Sequence, residues 1–285
     1  MKQEWQVQLP LNYIESISPV GGGDVNEAFQ VNTPDETYFL LVQRNRNEDF
    51  FAAEIAGLNL FEQAQITAPK VVGSGEVNGD AYLLLSFLEE GTTGSQSELG
   101  QLVAKMHSQQ QSSGKFGFNL PYEGGDISFD NSWTDSWTTL FVERRLDHLK
   151  DELLRLKLWT DDDTQTYKRV RKVIIDALNK HTSKPSLLHG DLWGGNYMFL
   201  ENGSPALFDP APLYGDREFD LGITTVFGGF TQTFYDEYNK HYPLSDGAEK
   251  RLEFYRLYLL MVHLVKFGNM YASSVDRSMQ KILND

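Results

Sequence analysis

The sequence predicts an α+β chain in two lobes, a small strand-rich lobe with one main helix over residues 1–89 and a larger, mostly helical lobe over 90–285. Three observations carry this. The first ~90 residues alternate β-compatible runs with turn signals. The polar, glycine-bearing run "EEGTTGSQSELG" after Leu88 then breaks the pattern. Beyond it, apolar residues recur at helical spacing.

In chain order, "ESISPVGGGDVNEAFQVNTPDETYFLLVQRN" holds two strand runs, a triple glycine at Gly21, Gly22 and Gly23, and a Pro34-Asp35 turn ahead of "YFLLVQ". "FFAAEIAGLNLFEQA" puts Phe51, Ile55, Leu58 and Phe61 on one helical face. "VVGSGEVNGDAYLLLSFL" returns to strand, with Asn78-Gly79 as a hairpin turn. After the break, Ser95 and Glu98 form a capping box for a helix whose apolar face is Leu99, Leu102, Val103 and Met106. Further helical patterns run from Trp137 to about Leu156 and through Val170, Val173, Ile174 and Leu178. The apolar C-terminal stretch "RLEFYRLYLLMVHLVKFGNMYA" reads as a core helix, because Arg251, Arg256, His263 and Lys266 interrupt it.

Composition excludes several classes of function. There is no cysteine, so disulfides, thiol nucleophiles and cysteine zinc sites are ruled out. Forty acidic against 25 basic residues give a net charge of -15, which opposes phosphate-backbone binding, so no nucleic-acid partner is expected. No stretch is apolar enough for a membrane span and no export signal is evident, so a cytoplasmic protein is expected.

The stretch "SLLHGDLWGGNYMFL" carries the chemistry. Asp191 sits on a loop tightened by Gly190, Gly194 and Gly195, five residues before Asn196. Downstream, Asn202-Gly203 suits a two-residue hairpin turn, and pairing outward from it sets Glu201 against Ser204, Phe199 against Ala206, Tyr197 against Phe208 and Asn196 against Asp209. An amide oxygen and a carboxylate on one face suit a shared magnesium ion, with Asp191 nearby to accept a hydroxyl proton. Pro205 leaves a one-residue shift of that register open. The rival reading makes Asp191 a turn cap and the other two ordinary hairpin-end residues.

These residues are similar to a known family. "LLHGDLWGGN" followed by "LFDPAPLYGDREFDL" resembles the fructosamine (ketosamine-3-) kinases, relatives of the aminoglycoside and choline kinases with a bilobal protein-kinase-like fold. "GGGDVNEAF", "FAAEIAGL", "LGQLVAKMHS" and "FGF" at 116–118 fall in the same order, so the resemblance covers most of the chain. It implies that Asp191 is the catalytic base and that Asn196 and Asp209 hold Mg2+. Gly21, Gly22 and Gly23 would cover the ATP phosphates, and Ser86, Phe87 and Leu88 would be the hinge reading adenine. Trp193 would lie beside the sugar, with Asp216 a further candidate for contacting substrate amines. His189 and Asp220 would support the loop, and His107 reads as a partner of its own helix's C-terminal dipole. The implied reaction moves the ATP γ-phosphoryl group to the 3-hydroxyl of a ketoamine.

The sequence departs from that pattern at one place. The family's third-strand lysine, which pairs with the phosphates and with the helix glutamate matched by Glu54, falls on Leu41. Gln43, on the same strand face, and Arg44 or Arg46 at the strand end are the candidate substitutes. Three readings therefore stand: a ketoamine kinase with a substitute cation, a kinase of another hydroxylated amine, and a nucleotide-binding pseudokinase.

Overall fold

A computed structural model describes residues 5, 8–21, 26–124 and 127–285. The chain divides into two compact units. One comprises Met1–Ser95 with Tyr197–Pro210, and the other Gln96–Asn196 with Ala211–Asp285. A single cut at residue 89 would leave out the 197–210 segment, which the first unit reclaims by hydrogen bonding: Gly91 N–H donates to Phe199 O at 2.7 Å and Glu201 N–H to Glu89 O at 3.1 Å.

The first unit is built on an antiparallel sheet of β1 (Ser16–Pro19), β2 (Glu27–Asn32), β3 (Thr37–Gln43), β4 (Val71–Val77) and β5 (Asp80–Ser86), in the order β1-β2-β3-β5-β4. The run "TYFLLVQ" is apolar without alternation because β3 lies between β2 and β5 and is buried on both faces. Leu40 and Val42 join Trp5, Leu9, Val31, Val77, Tyr82 and Leu84 in one core cluster. Leu41 points the other way, sharing its face with its cross-strand partners Ala28 and Leu83. Helix α1 (Ala52–Gln63) buries Leu58 and Phe61, and Phe51 is buried in the 3₁₀ turn before it. Asn78-Gly79 forms the anticipated two-residue turn, both residues having positive φ between the paired Val77 and Asp80.

The second hairpin, β9 (Tyr197–Phe199) and β10 (Pro205–Leu207), departs from expectation. Its observed pairs are Phe199–Pro205, Met198–Ala206 and Tyr197–Leu207, one residue away from the register read from the sequence. The cause is local. Gly203 N–H donates to Leu200 O, Leu200 N–H to Ser204 O, and Gly203 has φ +82°. The loop therefore has three residues, a turn ending in a left-handed glycine, rather than two. Strand pairing stops at Leu207, so register no longer sets Asp209 opposite Asn196.

In the second unit α2 (Gln96–His107) is followed by the short strands β6 (Tyr122–Gly124) and β7 (Ile127–Phe129), a π-helix (Thr139–Leu146) continuing into α3 (Asp147–Arg155), and α4 (Asp161–Leu178). Thr160 and Asp163 close a reciprocal capping box on α4. Strand β8 (Ser186–Leu188) pairs with β11 (Leu213–Gly215), flanking the candidate loop. Helices α5 (Glu218–Thr224), α6 (Gln232–His241), α7 (Ala248–Phe267) and α8 (Ala272–Asn284) complete the unit. Helix α7 is buried on most of its circumference, which accounts for its composition. Its Tyr255 packs with Trp137, Phe141 and Phe219, and Trp137 Nε1 donates to Tyr255 Oη at 2.9 Å. Among the described residues no helix is long and apolar enough to cross a membrane.

Candidate active site

The loop after β8 is held from three directions. Gly190 has φ +83°, and a Cβ there would lie 1.8 Å from the carbonyl oxygen of Ala211, so only glycine fits. The Asp191 backbone N–H donates to Nδ1 of the buried His189 at 3.3 Å. Asn196 Nδ2 donates to the Asp191 backbone carbonyl at 2.8 Å and to Asp191 Oδ2 at 3.2 Å. One side chain thus fixes both the backbone and the carboxylate of Asp191. It leaves Asn196 Oδ1 as a hard-oxygen donor. The Trp193 ring lies against Gly195 and is 41% exposed, beside the carboxylate in sequence and open to a ligand.

Asp220, on α5, is the loop's anchor. Its Oδ2 accepts from His189 N–H at 2.7 Å and its Oδ1 from Gly190 N–H at 3.0 Å, with the carboxylate wholly buried. His107 does not serve its own helix's dipole. It is fully buried, with Nε2 3.1 Å from Asp220 Oδ2 and Nδ1 2.9 Å from Tyr238 Oη. Because a carboxylate only accepts, the nitrogen facing it carries the hydrogen. The spacing held this signal: His107 follows Leu99 by eight residues and Val103 by four, which puts it on the buried face of α2.

Asp216 is placed differently from expectation. It is 2% exposed and saturated inside the fold, accepting from Ser183 Oγ at 2.6 Å and Glu218 N–H at 2.9 Å and pairing with His181 Nε2 at 2.9 Å. Burial opposes its charge, but His181 and Ser183 outweigh that and hold its pKa below the usual carboxylate value. It is therefore a structural anchor and not a substrate contact. Glu218 is engaged by Arg251 through two parallel bonds of 2.7 and 2.8 Å. His181, Asp216 and Glu218 lie close enough to ligate a cation, but these bonds already occupy them.

The first unit contributes the nucleotide-side candidates. Gly22 and Gly23 lie outside the described residues, while Gly21 is exposed in the connection between β1 and β2 with open space around it. Ser86 ends β5, exchanging bonds with Lys70 through its N–H and Oγ at 2.8 Å each, and Phe87 and Leu88 follow it half-buried. Arg44 is not the substitute cation. Glu27 grips it through Nε and Nη2 at 2.8 and 2.7 Å and Asp80 through Nη1 at 2.6 Å, turning it along the strand end. Arg46 lies over the Phe50 ring, 5.7 Å from its centroid. Gln43 is half-buried at the end of β3, two residues from Leu41 on the same face.

With leucine at position 41, Glu54 has lost the expected partner, and its Oε1 is buried with no hydrogen bond among the described residues. Burial first, and the Asp209 charge second, push its pKa up to about 8. Asp209 is solvent-exposed and sits at φ +53°, an uncommon backbone state for a non-glycine residue that turns the chain sharply after β10. Burial raises the Asp209 carboxyl as well, so the two acids next to each other both resist ionisation.

Residues 2–285 match the family model of fructosamine kinase. The chain belongs to the fructosamine kinase family. It is 70% identical over 285 residues to a Staphylococcus aureus protein named "Probable ketoamine kinase", covering all of this chain and 99% of that one. This family member is also 34% identical over 269 residues to the chloroplastic protein-ribulosamine 3-kinase of Arabidopsis thaliana, covering 92% and 80% of the two chains. A thermostable mutant of aminoglycoside phosphotransferase APH(4)-Ia, in ternary complex with ADP and hygromycin B, has the same fold with a TM-score of 0.68 at 14% identity, covering 100% of this chain and 98% of that one. The fructosamine kinase assignment makes the chain an enzyme, a phosphotransferase that uses ATP.

Proposed function

We propose that the protein phosphorylates the 3-hydroxyl of a ketoamine, a sugar-amine adduct of the fructosamine or ribulosamine type, in the cytoplasm. The observation that carries this is the "HGDLWGGN" loop, in which Asn196 and the Asp220 anchor fix Asp191 at both its backbone and its carboxylate. Asp191 is the general base: its carboxylate accepts the hydroxyl proton as the oxygen attacks phosphorus, which calls for a fixed orientation. Asn196 and Asp209 are the magnesium ligands. The donors fit, being hard oxygens, one the amide oxygen left by the Asn196 bonds and one an exposed carboxylate. Magnesium would supply charge neutralisation on the transferring phosphoryl group. Trp193 offers an apolar face to the sugar ring. Gly21, Gly22 and Gly23 cover the phosphates, Ser86, Phe87 and Leu88 read the base, and Gln43 is the remaining polar group near the position of the lost lysine.

A nucleotide-binding reading without efficient transfer is favoured by one observation, the buried Glu54 Oε1 that finds no hydrogen bond among the described residues while the strand lacks its lysine. A coupled ADP-release assay separates the two readings. Fructosyl-lysine, ribulosyl-lysine and an aminoglycoside are offered with and without magnesium. Magnesium-dependent turnover on a ketoamine supports the kinase. ATP-dependent thermal stabilisation with no turnover on any acceptor supports the alternative.

A further inference from the structure

The second unit exposes an aromatic cluster that the reaction as described does not use. Phe227, His263, Phe267 and Tyr271 form a closed set, with ring centroids 4.6 Å apart for Phe227–His263, 5.1 Å for His263–Tyr271, 5.3 Å for His263–Phe267 and 6.1 Å for Phe267–Tyr271. Part of its apolar surface faces solvent, with Phe227 42%, Phe267 52% and the adjoining Met270 76% exposed. Isolated exposed apolar residues are ordinary, but a contiguous set is not.

Its location gives it meaning. Phe227 leads into Gly228-Gly229, which runs directly against the catalytic loop: a Cβ on Gly194 would come 3.0 Å from the Gly228 carbonyl oxygen and 3.3 Å from Gly229 Cα. Gly194 follows the half-exposed Trp193, three residues from Asp191. The cluster is therefore joined through Gly228-Gly229 to the loop that carries Trp193 and Asp191.

The rings offer an apolar face, with the exposed Lys266 as the charged group beside it. His263 does not charge that face. Its Nδ1 lies 2.9 Å from Leu259 O, and burial, with the charge of Lys266 adding to it, keeps the ring below its ordinary pKa and so uncharged at neutral pH. The acceptor in the proposed reaction carries an amine next to its sugar, with whatever chain that amine bears beyond it.

We propose that Phe227, His263, Phe267, Met270 and Tyr271 form the subsite for the amine side of the acceptor, taking the methylene chain carried by that amine against their exposed faces. The subsite rests on the ketoamine-kinase reading and specifies what that reading leaves open, the chain carried by the amine. It assigns the preference for an extended alkylamine adduct over the adduct of ammonia to this cluster.

The test compares kcat/KM for fructosyl-lysine with that for 1-amino-1-deoxyfructose, which presents the same sugar without the chain. Wild type, Phe227→Ala and Phe267→Ala are measured, and loss of folded enzyme cancels in the ratio. The wild-type ratio is expected to favour the lysine adduct by about tenfold, the effect of one or two methylenes leaving water. It should fall to within about twofold of unity in Phe267→Ala. A wild-type ratio near one, or a ratio unchanged in both variants, overturns the subsite. So does an unchanged ratio accompanied by a fall in molecular mass in solution, which would make the cluster a contact between copies of the chain. Wild-type turnover on neither adduct overturns the ketoamine reading itself, and the subsite with it.

Discussion

Replacing Glu54 by glutamine probes the site's least ordinary feature. The Glu54 carboxyl titrates near 8 in the folded protein, against 4.5 as the ordinary value. Between those values the folded state holds a proton that the unfolded chain has released. Stability from this group is therefore present below pH 4.5 and lost as pH rises through 8. From pH 5 to pH 8 the loss amounts to about 3 kcal/mol, at roughly 1.4 kcal/mol per unit of difference between the two titrations. Glutamine cannot ionise and removes this slope. The assay is urea unfolding of wild type and Glu54→Gln at half-unit steps across that range. The two proteins should be nearly equal at pH 5, with the variant more stable by about 3 kcal/mol at pH 8. Leu41→Lys should flatten the slope as well, by placing an ammonium on the face where the family keeps its lysine. Parallel curves for wild type and Glu54→Gln would refute the orphaned-acid account.

Three further outcomes follow from the loop. Asp191→Asn should lower turnover by about a thousandfold while ATP still raises the melting temperature, since the base is lost and the nucleotide contacts are kept. Asp220→Asn turns one acceptor oxygen into a donor facing buried N–H groups and should cost about 2–4 kcal/mol. Thermal melting should show a fall of roughly 5–10 °C, and hydrogen exchange should quicken at the amides of residues 189 and 190. Gly190→Ala sets a Cβ against the Ala211 carbonyl and should lower both kcat and melting temperature, where an alanine tolerated without effect would contradict the loop geometry.

The α+β layout was legible because its signals are local: turn residues in the first 90 positions and helical spacing beyond. The meeting of Asp191 and Asn196 was legible for the same reason, since they lie five residues apart on one glycine-tightened loop. The hairpin register was not, because a left-handed Gly203 allows a three-residue loop as readily as Asn202-Gly203 allows a two-residue one, and that choice moved every pair by one. Arg44 looked available in sequence, yet Glu27 and Asp80 arrive from other strands to hold it. Asp216 and His107 were misread likewise, since their partners lie 33 or more positions away from them: His181 and Ser183 for one, Asp220 and Tyr238 for the other. Spacing put His107 on the buried face of its helix but did not say which partners it meets there.

The central claim, that the fixed Asp191 carboxylate drives phosphoryl transfer to a ketoamine, is tested most directly by following the product. Purified protein is incubated with ATP, magnesium and fructosyl-lysine or ribulosyl-lysine, and the phosphorylated carbon is located by NMR. The account predicts a 3-phosphate, formed by wild type and lost in Asp191→Asn. Phosphate on another hydroxyl, turnover on an aminoglycoside alone, or a product rate untouched by Asp191→Asn would contradict it.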